Sequence, residues 1–292
     1  MLQYSKANTA SLPFILDLLG TSEQALHVQR LEPKELLAIY NDYTSRQREL
    51  QDIAVFMANM LTKVEGVHSV KYRLKDPLHL LQKIIRKKKE YPERHFTSSS
   101  YLNLINDLIG LRVLHLYKES WVNTSRYIQQ VWQLKRPPYA YIRGNEDNAH
   151  LQAFASHGCK IMSHPSGYKA VHFVIATQPC KQRYFAEVQL RTLFEDGWSE
   201  VDHNIRYPNH KTDELLHYLL QLLNKLTSHA DELASLIREL ALEIGKEPSF
   251  NSSSHFDERH RKLVWIQQSI AKLPIMEAEK QKLQEYIVKV LK

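Results

Sequence analysis

Residues 186–192 form the segment that most constrains the fold, because their alternation identifies a strand that leads directly into a helix. Side chains alternate across a strand, so Glu187, Gln189 and Arg191 project from one face while apolar neighbours fill the other. Thr192 and an acid three positions later have the form of a capping box, which predicts that a helix begins at once. That helix would leave His203 off an apolar stripe formed by Phe194, Trp198, Val201 and Ile205. The segment therefore either lines a cleft suited to metal-assisted phosphate chemistry or is an amphipathic edge strand with solvated polar residues.

The central part of the chain alternates between strand-like and helix-like patterns, which is typical of an α/β or α+β core. Apolar runs predict four strands, at residues 67–74, 108–116, 171–177 and 183–190. Helical spacing predicts helices at residues 78–89 and 121–133. The last two strands would pair as a hairpin, and the stretch 137–165 is predicted to be a long loop with little regular structure.

Both ends of the chain are predicted to be helical. Apolar residues from Leu216 to Ile244 are spaced by alternating threes and fours, a strict heptad seam that must pack on another helix. That helix belongs either to a second copy, in a homo-oligomer, or to this chain, where the helix predicted at residues 33–65 is the candidate. After Gly245 we expect a linker at 247–255 and then two helices, at 256–272 and 275–291. The predicted division is an N-terminal helical extension at 1–66, a mixed core domain at 67–209 and a C-terminal helical region at 210–292.

The charge of the chain indicates anionic partners. The 292 residues carry a formal net charge of +7, which suits nucleotides, RNA or acidic proteins without choosing among them. The two cysteines, Cys159 and Cys180, lack the spacing of a metal site and fit a reducing cytosol. No apolar run approaches the roughly 20 residues that span a bilayer, and the N-terminus shows no secretory pattern. The sequence therefore predicts a cytoplasmic protein that does not enter a membrane.

Basic residues are concentrated on the first predicted strand and on the helix that follows it. Lys71, Arg73 and Lys75 share one face of the extended segment. Lys83 and Arg86 are three positions apart and share a helix face. Cations from two elements would grip a triphosphate from two sides. The alternative is a basic surface hairpin.

Two further positions beside predicted strands are suited to chemistry. Asp107 stands at the mouth of the apolar strand 108–116, where it would ligate a metal or simply cap a turn or strand. Gly167 permits a sharp turn that presents Tyr168 at the start of the next strand. A presented tyrosine stacks on a base with about 1–3 kcal/mol. The alternative is a tyrosine ring packed at the turn.

In order and composition these segments resemble the RelA/SpoT family, the alarmone (ppGpp) synthetases, over residues 67–208. The family motifs appear here as Arg73, Lys75, Lys83 and Arg86, as Asp107 to Val113, as Gly167 to His172, and as Glu187 to Thr192 followed by Trp198 and His203. The resemblance implies an α+β fold, a nucleotidyltransferase-like mixed β-sheet flanked by helices, with N- and C-terminal helical extensions. It also implies transfer of the β,γ-pyrophosphate of ATP to the 3′-hydroxyl of GDP or GTP.

The resemblance assigns roles to individual residues as well. It implies that Asp107 and Glu187 hold Mg²⁺, which bridges the ATP phosphates, and that Glu187 is the best-placed general base. Tyr168 would stack on the acceptor guanine. The implied ATP-binding residues are Arg73, Lys75, Lys83 and Arg86. The remaining residues implied on the acceptor side are Lys169, His172, Gln189, Arg191 and His203.

Some features depart from the family pattern or leave alternatives open. His79 and Ala170 stand where the family usually has serine, and the first of these bears on ATP binding. The sequence lacks the hydrolase motif of the long bifunctional members, which indicates a synthetase-only form. Relatives that pyrophosphorylate the 3′ end of tRNA or make adenosine alarmones are alternatives, as is a degenerate fold that only binds. The C-terminal helices are expected to complete the core or form an oligomer interface, with a built-in inhibitory element as the alternative.

Overall fold

The computed structural model describes residues 10–142, 148–164, 166–206, 214–244, 264–268, 270–271, 273 and 275–290. The described chain opens with four helices, α1 (Leu12–Leu19), α2 (Glu23–Val28), α3 (Pro33–Ser45) and α4 (Gln47–Thr62). Serine hydroxyls cap the first two, Ser11 on α1 and Ser22 on α2, and Pro33 occupies the first turn of α3. The helix predicted at 33–65 is therefore helical, but it is divided at Arg46 into α3 and α4.

The centre of the fold is a mixed sheet that has seven strands within the described residues. In chain order the strands are β1 (Val67–Leu74), β2 (Ile109–His115), β3 (Gln133–Leu134), β4 (Tyr139–Ile142), β5 (Lys160–Ser163), β6 (Ala170–Thr177) and β7 (Tyr184–Thr192). Their spatial order is β1-β2-β7-β6-β4-β5, and β3 also pairs with β6. The pairs β2–β7 and β4–β5 are parallel and the others are antiparallel. The prediction of a mixed sheet flanked by helices is confirmed, as is the hairpin formed by β6 and β7.

Within the described residues, four helices connect these strands: α5 (Pro77–Glu90), α6 (Tyr101–Leu104), α7 (Trp121–Val131) and α8 (Asn148–Ser156). A further helix, α9 (Leu193–Arg206), follows the last strand directly. The prediction of a long irregular loop at 137–165 is wrong, because this stretch contributes β4, α8 and β5. Ala140 and Ile142 are buried on one face of β4, and β4 pairs with β6 on one side and β5 on the other. A four-residue strand of this kind is fixed by pairing with its neighbours, and its short alternation gives little signal in the sequence.

A single hydrophobic core joins the N-terminal helices to one face of the sheet. Helix α4 packs on β1 and β2, and its Leu50 and Met57 are fully buried. Val113 of β2 and Val188 of β7 belong to the same core. Each such side chain contributes about 1.5–3 kcal/mol on burial. Because this face is committed to the core, the alternating polar residues of β2 and β7 are directed to the opposite face.

Helix α10 (Glu214–Ile244) packs with its polar face inward, which differs from the heptad prediction. Its inward residues are Asn224, Ser228, Asp231 and Ser235, all buried, and its contacts are with α9 and a 3₁₀ turn at Lys118–Ser120. The seam residues Leu216, Leu219 and Leu226 are 42%, 47% and 53% exposed. The expected packing of this seam on the N-terminal helix is not what the described residues show. The polar face is turned inward because polar groups of the sheet edge face it, as shown below.

The end of α10 forms a second, smaller core with the helices that follow it. Leu236 packs with Ile266, Ile270, Leu273 and Ile287, the last of which lies on α11 (Glu277–Val290). The helical residues 264–268 and 270–271 fall within the helix predicted at 256–272. Gly245 and the linker predicted at 247–255 lie outside the described residues. The division into three regions at 1–66, 67–209 and 210–292 stays a prediction. Among the described helices, none combines the length and apolar character that crossing a bilayer requires.

Candidate active site

Two carboxylates from neighbouring parallel strands meet in one cleft. Asp107 lies just before β2, and Glu187 lies on β7 opposite Gly110 of β2. Both line a cleft that encloses about 1520 Å³ of open space, its mouth included. The accessible volume of the cleft, about 580 Å³, lies within the roughly 300–1,000 Å³ of typical small-molecule sites. Glu187 reaches the open face through the strand alternation that identified it in the sequence, whereas Asp107 reaches the cleft from the irregular segment that precedes β2.

Two lysines hold Asp107 in its charged form. Lys75 Nζ lies 2.9 Å and Lys83 Nζ 2.7 Å from the same carboxylate oxygen, Oδ2. Burial acts to raise the pKa of Asp107, but the two lysines outweigh it and hold this pKa below its usual value. The second oxygen, Oδ1, is buried and has no hydrogen-bond partner among the described residues. A buried carboxylate oxygen that accepts nothing is an open ligand position.

Helix α5 carries the second set of cations into the cleft. Asp76 caps this helix by accepting a hydrogen bond from the backbone N–H of His79 at 3.0 Å, and Pro77 occupies its first turn. This start places Lys83 and Arg86 on the side that lines the cleft, facing the cations of β1. The residues that sequence analysis predicted as ATP-binding, Arg73, Lys75, Lys83 and Arg86, all line this cleft. His79 lines it too, at the position where the family usually has serine.

The start of α9 shows the threonine half of the predicted capping box and adds a residue that the sequence did not reveal. Thr192 Oγ1 accepts a hydrogen bond from the backbone N–H of Glu195 at 3.1 Å. The next residue, Asp196, is almost completely buried and binds three cations. Its carboxylate lies 2.8 Å from the Nζ of Lys71 and 3.4 and 3.5 Å from Nη1 atoms of Arg112 and Arg191. In the sequence, an acid in the first turn of a helix is fully explained by the helix dipole.

A hydrogen-bonded chain links Tyr168 to Glu187. The Oη of Tyr168 lies 2.8 Å from Nε2 of His172, whose Nδ1 lies 3.5 Å from a carboxylate oxygen of Glu187. Arg191 donates to the same Tyr168 oxygen at 2.6 Å and also to the side-chain oxygen of Gln189. Gln189 in turn donates to Glu187 at 3.0 Å. Four of the predicted acceptor residues are thus joined to one of the two carboxylates.

The environment of this chain shifts the pKa values of its members. Burial raises the pKa of Tyr168 to about 12, so its hydroxyl stays protonated. Burial also acts to raise the pKa of Glu187, but the hydrogen bond and charge of His172 hold it below its usual value. Gly167 has a φ of +73°, which favours glycine and forms the turn expected before Tyr168. The Tyr168 ring packs edge-on to Tyr141, with centroids 5.9 Å apart.

Two predicted acceptor residues take different positions from this chain. His203 and Glu200 both line the cleft, and Glu200 lies one turn further along α9 than Asp196. Lys169 points away from the cleft, and its Nζ donates to the hydroxyl of Ser228 on α10 at 3.1 Å. Side chains of adjacent residues in an extended segment project in opposite directions. Lys169 therefore cannot share the orientation of Tyr168, and it lines a different cavity.

Comparison with known proteins identifies the region that contains this site. Residues 72–212 match the family model RelA_SpoT, described as a region found in RelA/SpoT proteins. All twelve predicted site residues lie within these bounds, from Arg73 to His203. A comparison with curated proteins gave no significant match.

Solved structures of several bacterial proteins are similar in fold. They include small alarmone synthetase 1 from Bacillus subtilis bound to its product pppGpp, with 18% identity, a TM-score of 0.47 and coverage of 70% of this chain and 95% of that one. A GTP pyrophosphokinase family protein from Streptococcus pneumoniae has 19% identity, a TM-score of 0.44 and coverage of 72% and 94%. Residues 72–212 therefore form a RelA/SpoT-type domain, and this domain is of the pyrophosphokinase transferase type.

Proposed function

We propose that this protein transfers the β,γ-pyrophosphate of ATP to the 3′-hydroxyl of GDP or GTP in a Mg²⁺-dependent reaction. The observation that carries the proposal is the pair Asp107 and Glu187, which meets in a cation-lined cleft within the RelA/SpoT region. Phosphoryl-type transfer needs little covalent chemistry from the protein. It needs cations that position the phosphates and neutralise developing charge, and this cleft supplies them.

The free oxygen of Asp107 supports a role in holding Mg²⁺. Its Oδ1 is buried and lacks a partner among the described residues, while Oδ2 is already bound by two lysines. Mg²⁺ in nucleotide enzymes is usually held by one or two carboxylates, and substrate phosphates and waters complete its shell. Asp107 and Glu187 would be those carboxylates. The bound ion would neutralise charge on the transferring phosphates.

The cations around the cleft would bind ATP. Lys75 and Lys83 lie within 2.9 Å of Asp107, so a phosphate beside this carboxylate is within their reach. Arg73 on β1 and Arg86 on α5 flank the same space from opposite sides. Guanidinium groups bind phosphate oxygens through two parallel hydrogen bonds, which fixes orientation as well as affinity.

The acceptor would lie on the side of Tyr168. The Tyr168 ring would stack on the guanine, and the hydrogen bonds of Tyr168 to His172 and Arg191 hold this ring beside Glu187. Glu187 would position the attacking 3′-hydroxyl in addition to its part in holding the ion. Its lowered pKa keeps it a carboxylate but makes it a weak general base. Lys169, which is bound to α10, would support this loop and not the substrate.

A transfer assay with several acceptors tests the proposal. ATP labelled in its β or γ phosphate is offered with Mg²⁺ and, in parallel, GDP, GTP, ADP, ATP or deacylated tRNA. We expect label on GDP or GTP, and none when Asp107→Asn replaces the wild-type protein. Label on tRNA alone, or on an adenosine nucleotide alone, would refute the proposed acceptor. The homo-oligomer and the cytoplasmic location expected from the sequence stay predictions.

A further inference from the structure

Helix α10 reaches the acceptor side of the cleft from outside the RelA/SpoT region. It begins at Glu214, beyond the matched residues 72–212. Its buried face carries Asn224 and Ser228, which are 1% and 8% exposed. These two residues are four positions apart, so their side chains lie one above the other on the same face of the helix. Because both side chains are polar, their burial requires hydrogen-bond partners, and those partners lie on the two sides of Tyr168.

The turn that presents Tyr168 is bonded to α10 at the residue before it and at the residue after it. The Nδ2 of Asn224 donates to the backbone carbonyl of Gly167 at 3.4 Å. The Nζ of Lys169 donates to the hydroxyl of Ser228 at 3.1 Å. The first bond is long and the second has a charged donor, so the bond between Lys169 and Ser228 contributes more to holding the turn.

Helix α10 is itself fixed by contacts that do not involve this turn. The indole Nε1 of Trp198 on α9 donates to the backbone carbonyl of Leu220 at 2.9 Å. At the end of β7, the Oγ1 of Thr192 donates to Oδ2 of Asp231 at 2.8 Å. Both bonds are buried. Helix α10 therefore provides a fixed support against which the turn is held.

Tyr168 is thus held at both of its ends. At the tip of its ring, the hydroxyl is bonded to His172 at 2.8 Å and to Arg191 at 2.6 Å in the cleft. At its backbone, the neighbouring residues are bonded to α10. The bonds at the hydroxyl fix only one point of the side chain, about which the ring could still pivot. The direction of the ring therefore depends on the contacts with α10 as well.

We propose that α10 positions the acceptor base, because Asn224 and Ser228 fix the turn at residues 167–169 and so fix the ring on which the guanine stacks. The inference rests on the proposed function, since it concerns the acceptor of that reaction. Asn224 and Ser228 are positioning residues, which bond the turn and not the substrate. Misplacing a group that binds substrate weakens its contribution. A loosened turn would weaken acceptor binding and leave the ATP side, on β1 and α5, unchanged.

Steady-state transfer of label from ATP to GDP or GTP, with the KM of each substrate measured separately, tests the inference. Ser228→Ala should raise the KM for the acceptor by at least about fivefold, the lower end of the loss expected when base stacking is weakened. The KM for ATP should stay within about twofold, because changes away from a site have small effects. Asn224→Ala should act in the same direction by a smaller factor, since it removes the longer bond.

Two further variants separate positioning from a general loss of structure. Ser228→Thr keeps the hydroxyl, and the cavity of about 110 Å³ beside Ser228 has room for the added methyl group, so this variant should keep the wild-type KM for the acceptor. The matched control is Gln221→Ala, which removes an amide from an exposed position on α10, one turn before Asn224. It should leave both KM values unchanged.

Hydrogen exchange gives a readout that does not depend on transfer. The backbone amides of residues 166–170 should exchange several times faster in Ser228→Ala than in the wild type or Gln221→Ala, while those of α9 keep their rates. The inference is overturned if Ser228→Ala keeps the wild-type KM for the acceptor, if its KM for ATP rises by the same factor, or if the turn exchanges at the wild-type rate. Failure of the proposed function gives a different result, since the wild type would then transfer no label to GDP or GTP. The exchange rates alone would then decide whether α10 holds the turn.

Discussion

The buried carboxyl of Asp231 gives the protein a stability that depends on pH in a calculable way. Its pKa is about 7 in the folded chain, against an ordinary value of about 3.8 for an aspartate. Below about pH 4 the group is protonated in both folded and unfolded chains. Between about pH 4 and pH 7 only the folded chain holds the proton, so the stabilisation from proton binding is lost as the pH rises through 7.

The size of the effect follows from these two pKa values. Between pH 5 and pH 8, proton linkage at Asp231 lowers the free energy of unfolding by about 2–3 kcal/mol. Asp231→Asn keeps a side-chain acceptor for Thr192 but cannot ionise. As the pH rises from 5 to 8, the free energy of unfolding of the variant should therefore fall by about 2–3 kcal/mol less than that of the wild type.

Urea unfolding at pH 5, 6, 7 and 8, followed by circular dichroism, measures this difference. The matched control is Asp17→Asn, the same change at an exposed position on α1. Its pH dependence should follow that of the wild type. If the Asp231 variant shows the wild-type pH dependence, burial does not keep the Asp231 carboxyl protonated, and the proton-linkage argument is refuted.

Three further predictions concern the cleft and the start of α9. Tyr168→Ala should raise the KM for the acceptor by about 5- to 150-fold, the loss of 1–3 kcal/mol of base stacking, while Tyr168→Phe should change it far less; equal KM values in steady-state assays would exclude stacking. Lys83→Ala should raise the KM for ATP more than the KM for the acceptor, because Lys83 lies on α5 among the cations proposed to bind the ATP phosphates. A rise in the acceptor KM alone would contradict this assignment. Thr192→Ala should lower the free energy of unfolding by about 1–2 kcal/mol, whereas Thr192→Ser should retain most of it; thermal unfolding of the pair tests whether the hydroxyl caps α9.

The face of the sheet that lines the cleft could be predicted because its signals are local. Alternation on β7 placed Glu187 and Gln189 on one face, and the capping box at Thr192 correctly marked the start of α9. Gly167 marked a turn whose φ of +73° only glycine adopts readily. Each of these features depends on a few consecutive residues, so the sequence contains all the information that it requires.

The features that the sequence did not reveal depend on contacts between distant segments. Asp196 could not be distinguished from an ordinary acid in a first helical turn, because its three cations come from β1, β2 and β7. The heptad pattern of α10 predicted an inward leucine seam, but the hydroxyl of Ser228 and the carboxylate of Asp231 pair with polar groups at the sheet edge. The buried polar face is chosen by these partners, which lie about 40 to 60 residues away in the chain.

The central claim is that Asp107 and Glu187 support transfer chemistry and do more than bind nucleotide. The most direct test measures label transfer from ATP to GDP and ATP affinity on the same samples of wild type and Glu187→Gln. We predict that the variant still binds ATP through the cations of the cleft but transfers label at least about 100-fold more slowly, because the carboxylate that would help to hold Mg²⁺ and position the attacking hydroxyl is lost. Transfer at the wild-type rate by Glu187→Gln would contradict the assignment of this cleft as the active site.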